Sequence, residues 1–282
     1  MSSALIADSS PNDMNMLGTL PKAELLEPSK ICVVMWYDSN ISEYADINFL
    51  INKLYCKKYG YRIIKSSLRR TQLHPTWERA PLMIEALNYY KYVIWIDSDA
   101  IFLKDSPPIT NVICEYPDKL FILSADVYHN CDTEINAGFI IAKHSPDTIT
   151  CLREWHKNPD ISANGEAYHV LDQGALRYMY DKNICNMQSN SVVIPYGILQ
   201  SFPNYQDARL SNINKYGLTD RAFVAHMAGT NKDDRVKFAT LYLKHNFPKI
   251  CKCGFIKDAN KPLCCLMCAN NMHGPKCSKR KI

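Results

Sequence analysis

No run in the 282-residue sequence has the apolar length that a membrane-crossing helix needs. No Gly-x-Gly-x-x-Gly and no Walker A sequence occur, so dinucleotide oxidoreductases and P-loop enzymes are disfavoured. No RNA- or DNA-reading motif is found, and there are no repeats or low-complexity tracts. The opening residues carry no basic stretch followed by an apolar one, so no signal peptide is expected. A cytoplasmic location and a reducing compartment follow as expectations. Charge of one sign is scarcely in excess. The net +5 is mild, and part of it sits at the end in Lys276, Lys279, Arg280 and Lys281. That balance suits an anionic nucleotide or phosphate ligand and does not call for nucleic acid as a partner.

What the chain does have is apolar material, 47% of residues, enough for one large domain with appendages. Residues 1–29 lack periodicity and read as a flexible leader. Ile31–Tyr37 is a continuous apolar run, hence a buried strand. Ile47, Leu50, Ile51, Leu54 and Tyr55 recur at helical spacing, with Ser42 as N-cap and Gly60 closing the helix. Tyr61–Ile64 is the next strand. A β-α-β opening implies a parallel sheet with a right-handed crossover. A helix is expected over Thr76–Tyr90, with Pro81 tolerable only in its first turn or at a kink. Further on, the pattern gives a helix near Asn111–Tyr116 and strands at Leu120–Ser124 and Ala137–Ala142. It then gives a helix from Ser145 to His156, a polar loop, a helix over Val170–Tyr180, and short strands at Val192–Pro195 and Phe223–Ala225. Alternating strands and helices spell an α/β fold with a mostly parallel sheet, spanning residues 30–250.

The chemistry centres on Tyr92–Leu103, YVIWIDSDAIFL. A buried strand ends abruptly in Asp97-Ser98-Asp99 and the chain then turns apolar again. Carboxylates two residues apart on an extended chain point the same way. Most Asp-x-Asp triplets are solvated turns, but a solvated turn needs no apolar flanks. Inside a core the pair requires a cation, and Mg²⁺ or Mn²⁺ prefers oxygen ligands and bridges carboxylates to phosphates. In α/β folds ligands bind outside the carboxyl ends of strands, where this triplet lies.

The end of the chain stands apart. Six of the twelve cysteines fall in residues 251–282. Cys251, Cys253, Cys264, Cys265, Cys268, His273 and Cys277 supply more than four soft ligands. This is the density of a structural zinc knot in a reducing compartment. The rival is a three-disulfide module, which would require secretion.

Five short segments, in order, resemble the landmarks of glycosyltransferase family 34. They are Thr76-Trp77-Glu78-Arg79-Ala80-Pro81, WIDSDAIF, INAGFIIAK, LDQGAL and AHMAGTNK. The resemblance implies a GT-A fold and a metal-dependent, retaining transfer from a UDP- or GDP-sugar to a glycan or glycoprotein. It implies that Asp97, Asp99 and His226 hold Mn²⁺, or Mg²⁺, with Asp97 also near the ribose. Asp172 and Gln173 match the pair near the reacting carbon. Asn136, Ala137 and Gly138 match the turn lining the donor sugar. Arg79, Gly229 and Lys232 match positions near the nucleotide and its diphosphate, and Tyr37 and Ser98 complete the donor set. Golgi-type anchoring, usual in that family, is not seen. Bland readings stand beside these. His226 in an apolar strand is a satisfied core histidine, Asp172 favours a helix N-terminus, Asn136-Ala137-Gly138 opens a strand, and Trp77 packs. Glu166 and His169 sit on a loop that orders over the donor. Two other functions remain open: an inverting transferase with Asp172 as general base, and a non-catalytic nucleotide-sugar- or glycan-binding protein.

Overall fold

The computed structural model describes residues 26–126, 135–157, 171–202 and 222–247. The leader up to residue 25, the loop with Glu166 and His169, and the cysteine-rich tail from Cys251 to Cys277 lie outside the described residues. Nothing described therefore bears on zinc.

The chain opens with β1 (Ile31–Trp36), α1 (Ser42–Tyr59), β2 (Arg62–Ser66), α2 (Arg79–Leu87) and β3 (Tyr92–Ile96). It continues with β4 (Ala100–Phe102), α3 (Thr110–Glu115), β5 (Phe121–Ala125), β6 (Ile135–Lys143) and α4 (Pro146–His156). It closes with α5 (Leu171–Asp181), α6 (Met187–Asn190), β7 (Ser191–Ile194), β8 (Gln200–Ser201), β9 (Val224–His226) and α7 (Lys232–Asn246). The main sheet has the order β2-β1-β3-β6-β5-β7. β1 runs parallel to β2 and β3, and β5 to β7, whereas β6 runs against both its neighbours. The expected parallel sheet is thus present, with one reversed strand in the middle. A second, small sheet of β4-β9-β8 abuts it.

Both faces of the main sheet are covered, which is why its strands read as unbroken apolar runs. Ile31, Val33 and Met35 of β1, with Tyr92, Ile94 and Ile96 of β3, pack on α1, α3, α7 and the small sheet. The alternate residues Cys32, Val34, Trp36, Val93 and Trp95 pack on α2, α4, α5 and α6.

Two local expectations are corrected. The helix placed over Thr76–Tyr90 begins as a 3-10 turn at Pro75–Glu78, becomes α-helical at Arg79 and stops at Leu87. Pro81 is its third residue, where no intrahelical N–H partner is needed. Ser42 is the first residue of α1 and not its cap; a 3-10 turn capped by Asp38 leads into it. The apolar residues after Asp99 form a strand of their own, too short to register as a pattern. Gly60 (φ 77°) ends α1 in the left-handed conformation, and the Ser145 hydroxyl accepts the Thr148 N–H at 3.0 Å, both as the sequence suggests.

Candidate active site

The Asp97–Asp99 turn is built where the two sheets meet. β3 ends at Ile96, and the Asp97 N–H reaches across to the Gly138 carbonyl of β6 at 2.9 Å. The chain turns, with Ala100 N–H on Asp97 O at 3.0 Å, and enters β4. β4 pairs antiparallel with β9 so that Ala100 lies opposite His226. That register sets His226 beside Asp99. Two buried asparagines one turn apart on α1 hold the turn from behind. Asn48 donates to Ser98 O at 2.9 Å. Asn52 donates to Ala100 O at 3.0 Å and accepts the Phe102 N–H at 2.8 Å. Their role is invisible in the sequence, because a polar residue in an amphipathic pattern reads as outward-facing.

One oxygen of Asp97, one of Asp99 and a ring nitrogen of His226 all lie within 4.8 Å of one another. His226 Nε2 is 3.3 Å from Asp99 Oδ1 and 3.6 Å from Asp97 Oδ2. Its Nδ1 is 3.1 Å from Gln200 Oε1, an arrangement in which Nδ1–H donates and Nε2 faces the acids. The remaining carboxylate oxygens are already engaged. Asp97 Oδ1 accepts from Arg79 Nη2 at 2.7 Å and from the Trp95 indole at 2.6 Å. Asp99 Oδ2 pairs with Arg235 Nη2 at 2.8 Å. So each aspartate has one oxygen held by an arginine and turns the other toward His226. Burial alone would raise the Asp99 pKa, but His226 and then Arg235 outweigh it and hold the carboxyl below its usual range. Burial likewise disfavours the charged imidazole, and Asp99 and Asp97 outweigh it, so the His226 pKa is raised.

Arg79 connects this cluster to a second one. Its guanidinium is almost fully buried, bridges Asp97 and Asp172 (Nη1 to Asp172 Oδ2, 2.5 Å), and lies over the Trp95 ring at 5.1 Å. On Arg79, burial is outweighed by Asp172 and Asp97, and its pKa rises. On Asp172, burial prevails over the pull of Arg79, and with Asp97 nearby the carboxyl is pushed up to about 6. The neighbouring Gln173 accepts the Ala137 N–H at 2.9 Å and donates to Asp126 Oδ2 at 3.1 Å. Asp126 Oδ2 also receives Arg177 Nη2 at 2.6 Å and Asn136 Nδ2 at 3.3 Å. Asn136 Oδ1 accepts the Gly138 N–H at 2.8 Å. The sequence reading selected Asn136 and Gln173 but not Asp126, the acid that joins them.

Other selected residues stand elsewhere. Lys232 opens α7 and pairs with Glu43 at 3.1 Å, both side chains half-exposed. Arg235, one turn further on, is the cation that faces Asp99. Tyr37 is buried and donates its hydroxyl to Asp46 at 2.8 Å. Trp77 is buried against the His156 ring, in line with the packing reading. Gly229 is left-handed (φ 72°) with open space where a Cβ would stand.

A nucleotide-diphospho-sugar transferase family model matches residues 52–245, well over half of the chain, and encloses Arg79, Asp97, Asp99, Asp172, Gln173 and His226. The chain belongs to the nucleotide-diphospho-sugar transferase family. It is a nucleotide-sugar glycosyltransferase of GT-A architecture. The transferase shares its fold with a glycosyltransferase involved in the glycosylation of the major capsid of PBCV-1. That likeness has 15% identity and a TM-score of 0.57, and covers 75% of this chain and 98% of the other. A second likeness is to the WbbM bifunctional glycosyltransferase in its apo form, at 15% identity and TM-score 0.51, covering 79% of this chain and 50% of that one. No curated protein matches the transferase closely enough to count as a relative. Among the described residues no helix is long and apolar enough to cross a membrane.

The donor set fits a hard divalent cation of the kind GT-A transferases use: two carboxylate oxygens and one imidazole nitrogen, each held in place by a further hydrogen-bonding group.

Proposed function

We propose that the protein is a Mn²⁺- or Mg²⁺-dependent transferase of the family 34 type. On this reading it moves a sugar from UDP or GDP to a glycan or glycoprotein hydroxyl with retention of configuration. The observation that carries the reading is the convergence of Asp97, Asp99 and His226 within 4.8 Å, at the carboxyl end of β3. The motif order noted above adds the retaining family to it.

When bound there, the cation stabilises the negative charge that grows on the departing diphosphate. The protein's own groups do the rest. Asp97 and Asp99 present fixed oxygens and need no reorganisation. Lys232 forms only an exposed pair with Glu43, and such pairs contribute about 0–1 kcal/mol. Its ammonium is therefore released toward the diphosphate at little cost. Asp172 has one oxygen committed to Arg79, so it acts by holding that guanidinium, not as a nucleophile. Gln173, clamped between Ala137 N–H and Asp126, presents a rigid edge to the donor sugar. A diphosphate leaving group needs no protonation, so no general acid is required. The departing phosphate then takes the acceptor proton on the face where it left, which preserves the anomer.

The test is a panel of UDP- and GDP-sugars, with and without Mn²⁺, read as donor hydrolysis and transfer, with the product anomer assigned by NMR. Metal-dependent turnover giving a retained anomer is expected. An inverted product removes the retaining assignment, and turnover indifferent to EDTA removes the metal role.

A further inference from the structure

Arg235 plays no part in the chemistry above, yet it is tied to the donor cluster on every side. Nη2 pairs with Asp99 Oδ2 at 2.8 Å, and Nη1 donates to the Tyr44 hydroxyl at 3.2 Å. Nε is 3.3 Å from both Met227 O and Thr230 Oγ1. The guanidinium also lies 5.4 Å from the Tyr44 ring centroid. It therefore fastens α1, the turn after Asp97 and the connection between β9 and α7 to one carboxylate oxygen. A solvated surface charge has no such set of partners.

The charge balance gives this a consequence. Among the described residues, the cluster holds three carboxylates (Asp97, Asp99, Asp172) against two guanidiniums (Arg79, Arg235). An imidazole that ligates a metal is neutral, and with His226 in that form one net negative charge is left. A dication alone would turn this partly buried cluster positive. A dication together with the diphosphate of a nucleotide sugar (two negative charges) or of free UDP or GDP (about three near neutral pH) returns it to net negative charge. Uncompensated charge in a buried site is costly, and the interaction acts over several ångströms at low effective dielectric. Without Arg235, the cluster would carry two negative charges and a dication alone would neutralise it.

We propose that Arg235 makes capture of the divalent cation conditional on the donor diphosphate, by neutralising Asp99 until the two arrive together. The inference rests on the transferase reading above and assigns Arg235 a positioning and charge-setting role. It requires that metal and nucleotide bind with strong mutual coupling, equal in both directions by linkage. The coupling belongs to binding alone, so turnover is not needed to read it.

The experiment is calorimetric titration of the full chain with Mn²⁺, with and without saturating UDP or GDP. Wild-type protein is measured first because it needs no variant. Its Mn²⁺ affinity should rise at least tenfold when the nucleotide is present. Arg235→Gln should bind Mn²⁺ alone about tenfold more tightly than wild type and lose most of the coupling. Arg235→Lys, which keeps the charge, should retain it. A purely structural arginine gives the opposite sign, since its loss weakens Mn²⁺ binding with and without nucleotide alike. The proposal is overturned if Arg235→Gln weakens Mn²⁺ binding in the absence of nucleotide. It is overturned equally if wild-type protein binds Mn²⁺ with the same affinity in both conditions. Failure of wild-type protein to bind either nucleotide, even with Mn²⁺, strikes the transferase reading underneath instead.

Discussion

Gly138 offers a severe test, because it concerns a single missing methyl group. A Cβ at this position would lie 2.1 Å from His226 Cε1, 2.6 Å from Nδ1 and 2.9 Å from Asn136 Oδ1. Unstrained carbon contacts begin at about 3.5 Å, so Gly138→Ala would push the imidazole back by about 1.4 Å. The ring has little room to move. It is 3% exposed, tied to Gln200, and packed edge-on against Phe202 at 5.3 Å. Gly138 is not among the left-handed glycines, so the effect is steric and owes nothing to backbone conformation. Overpacking of this kind costs about 1–3 kcal/mol. Ligand positions tolerate only about 0.2 Å, so Mn²⁺ affinity should fall at least about tenfold even if the protein stays folded. Calorimetry with Mn²⁺ and saturating UDP or GDP reads the second effect, and a thermal melt reads the first. An alanine variant that folds and binds Mn²⁺ within about twofold of wild type would refute the placement of His226 against β6.

Three further outcomes follow from the same geometry. Asp99→Ala should abolish the metal-enhanced binding of nucleotide, with the far-UV circular dichroism unchanged; retained enhancement would remove Asp99 from the donor set. Asn52→Leu strips partners from Ala100 O and Phe102 N–H, both buried. Urea denaturation should show a loss of about 3 kcal/mol, and a loss near zero would mean that α1 does not hold the turn. Asp172 has a folded pKa of about 6 against an unfolded value of 3.8. Its contribution to stability is therefore whole below about pH 4 and lost as pH rises through 6, by about 3 kcal/mol. In EDTA, stability measured across that window should fall in wild type relative to Asp172→Asn; parallel profiles would mean the carboxyl is not perturbed.

The parts legible in the sequence are those set by local pattern. The runs Ile31–Trp36 and Tyr92–Ile96 announced strands buried on both faces, and the abrupt Asp97-Ser98-Asp99 marked where one of them stops. The order of five motifs pointed to the transferase class before any coordinates. What stayed hidden depends on register and on packing across the chain. Three residues, Ala100 to Phe102, are too few to show a period, so the strand pairing that carries Asp99 to His226 was not readable from local pattern, although the family resemblance had set the two together. Asn48 and Asn52 lie between the apolar positions of a helical pattern, and nothing local signals that they face a backbone turn about fifty residues later in the chain. Lys232 was singled out by the family resemblance as the cation near the diphosphate. The cation that reaches Asp99 lies one helical turn later, at Arg235, and only the helix that begins at Lys232 explains why. Asp126 ends a plain apolar strand, and nothing before folding connects it to Asn136, Gln173 and Arg177.

Anomalous diffraction at the manganese edge, from a crystal of the full chain grown with Mn²⁺ and UDP or GDP, goes to the centre of the account. One peak should stand among Asp97 Oδ2, Asp99 Oδ1 and His226 Nε2, with the diphosphate completing its coordination. A well-ordered nucleotide whose manganese lies away from these three atoms would contradict it.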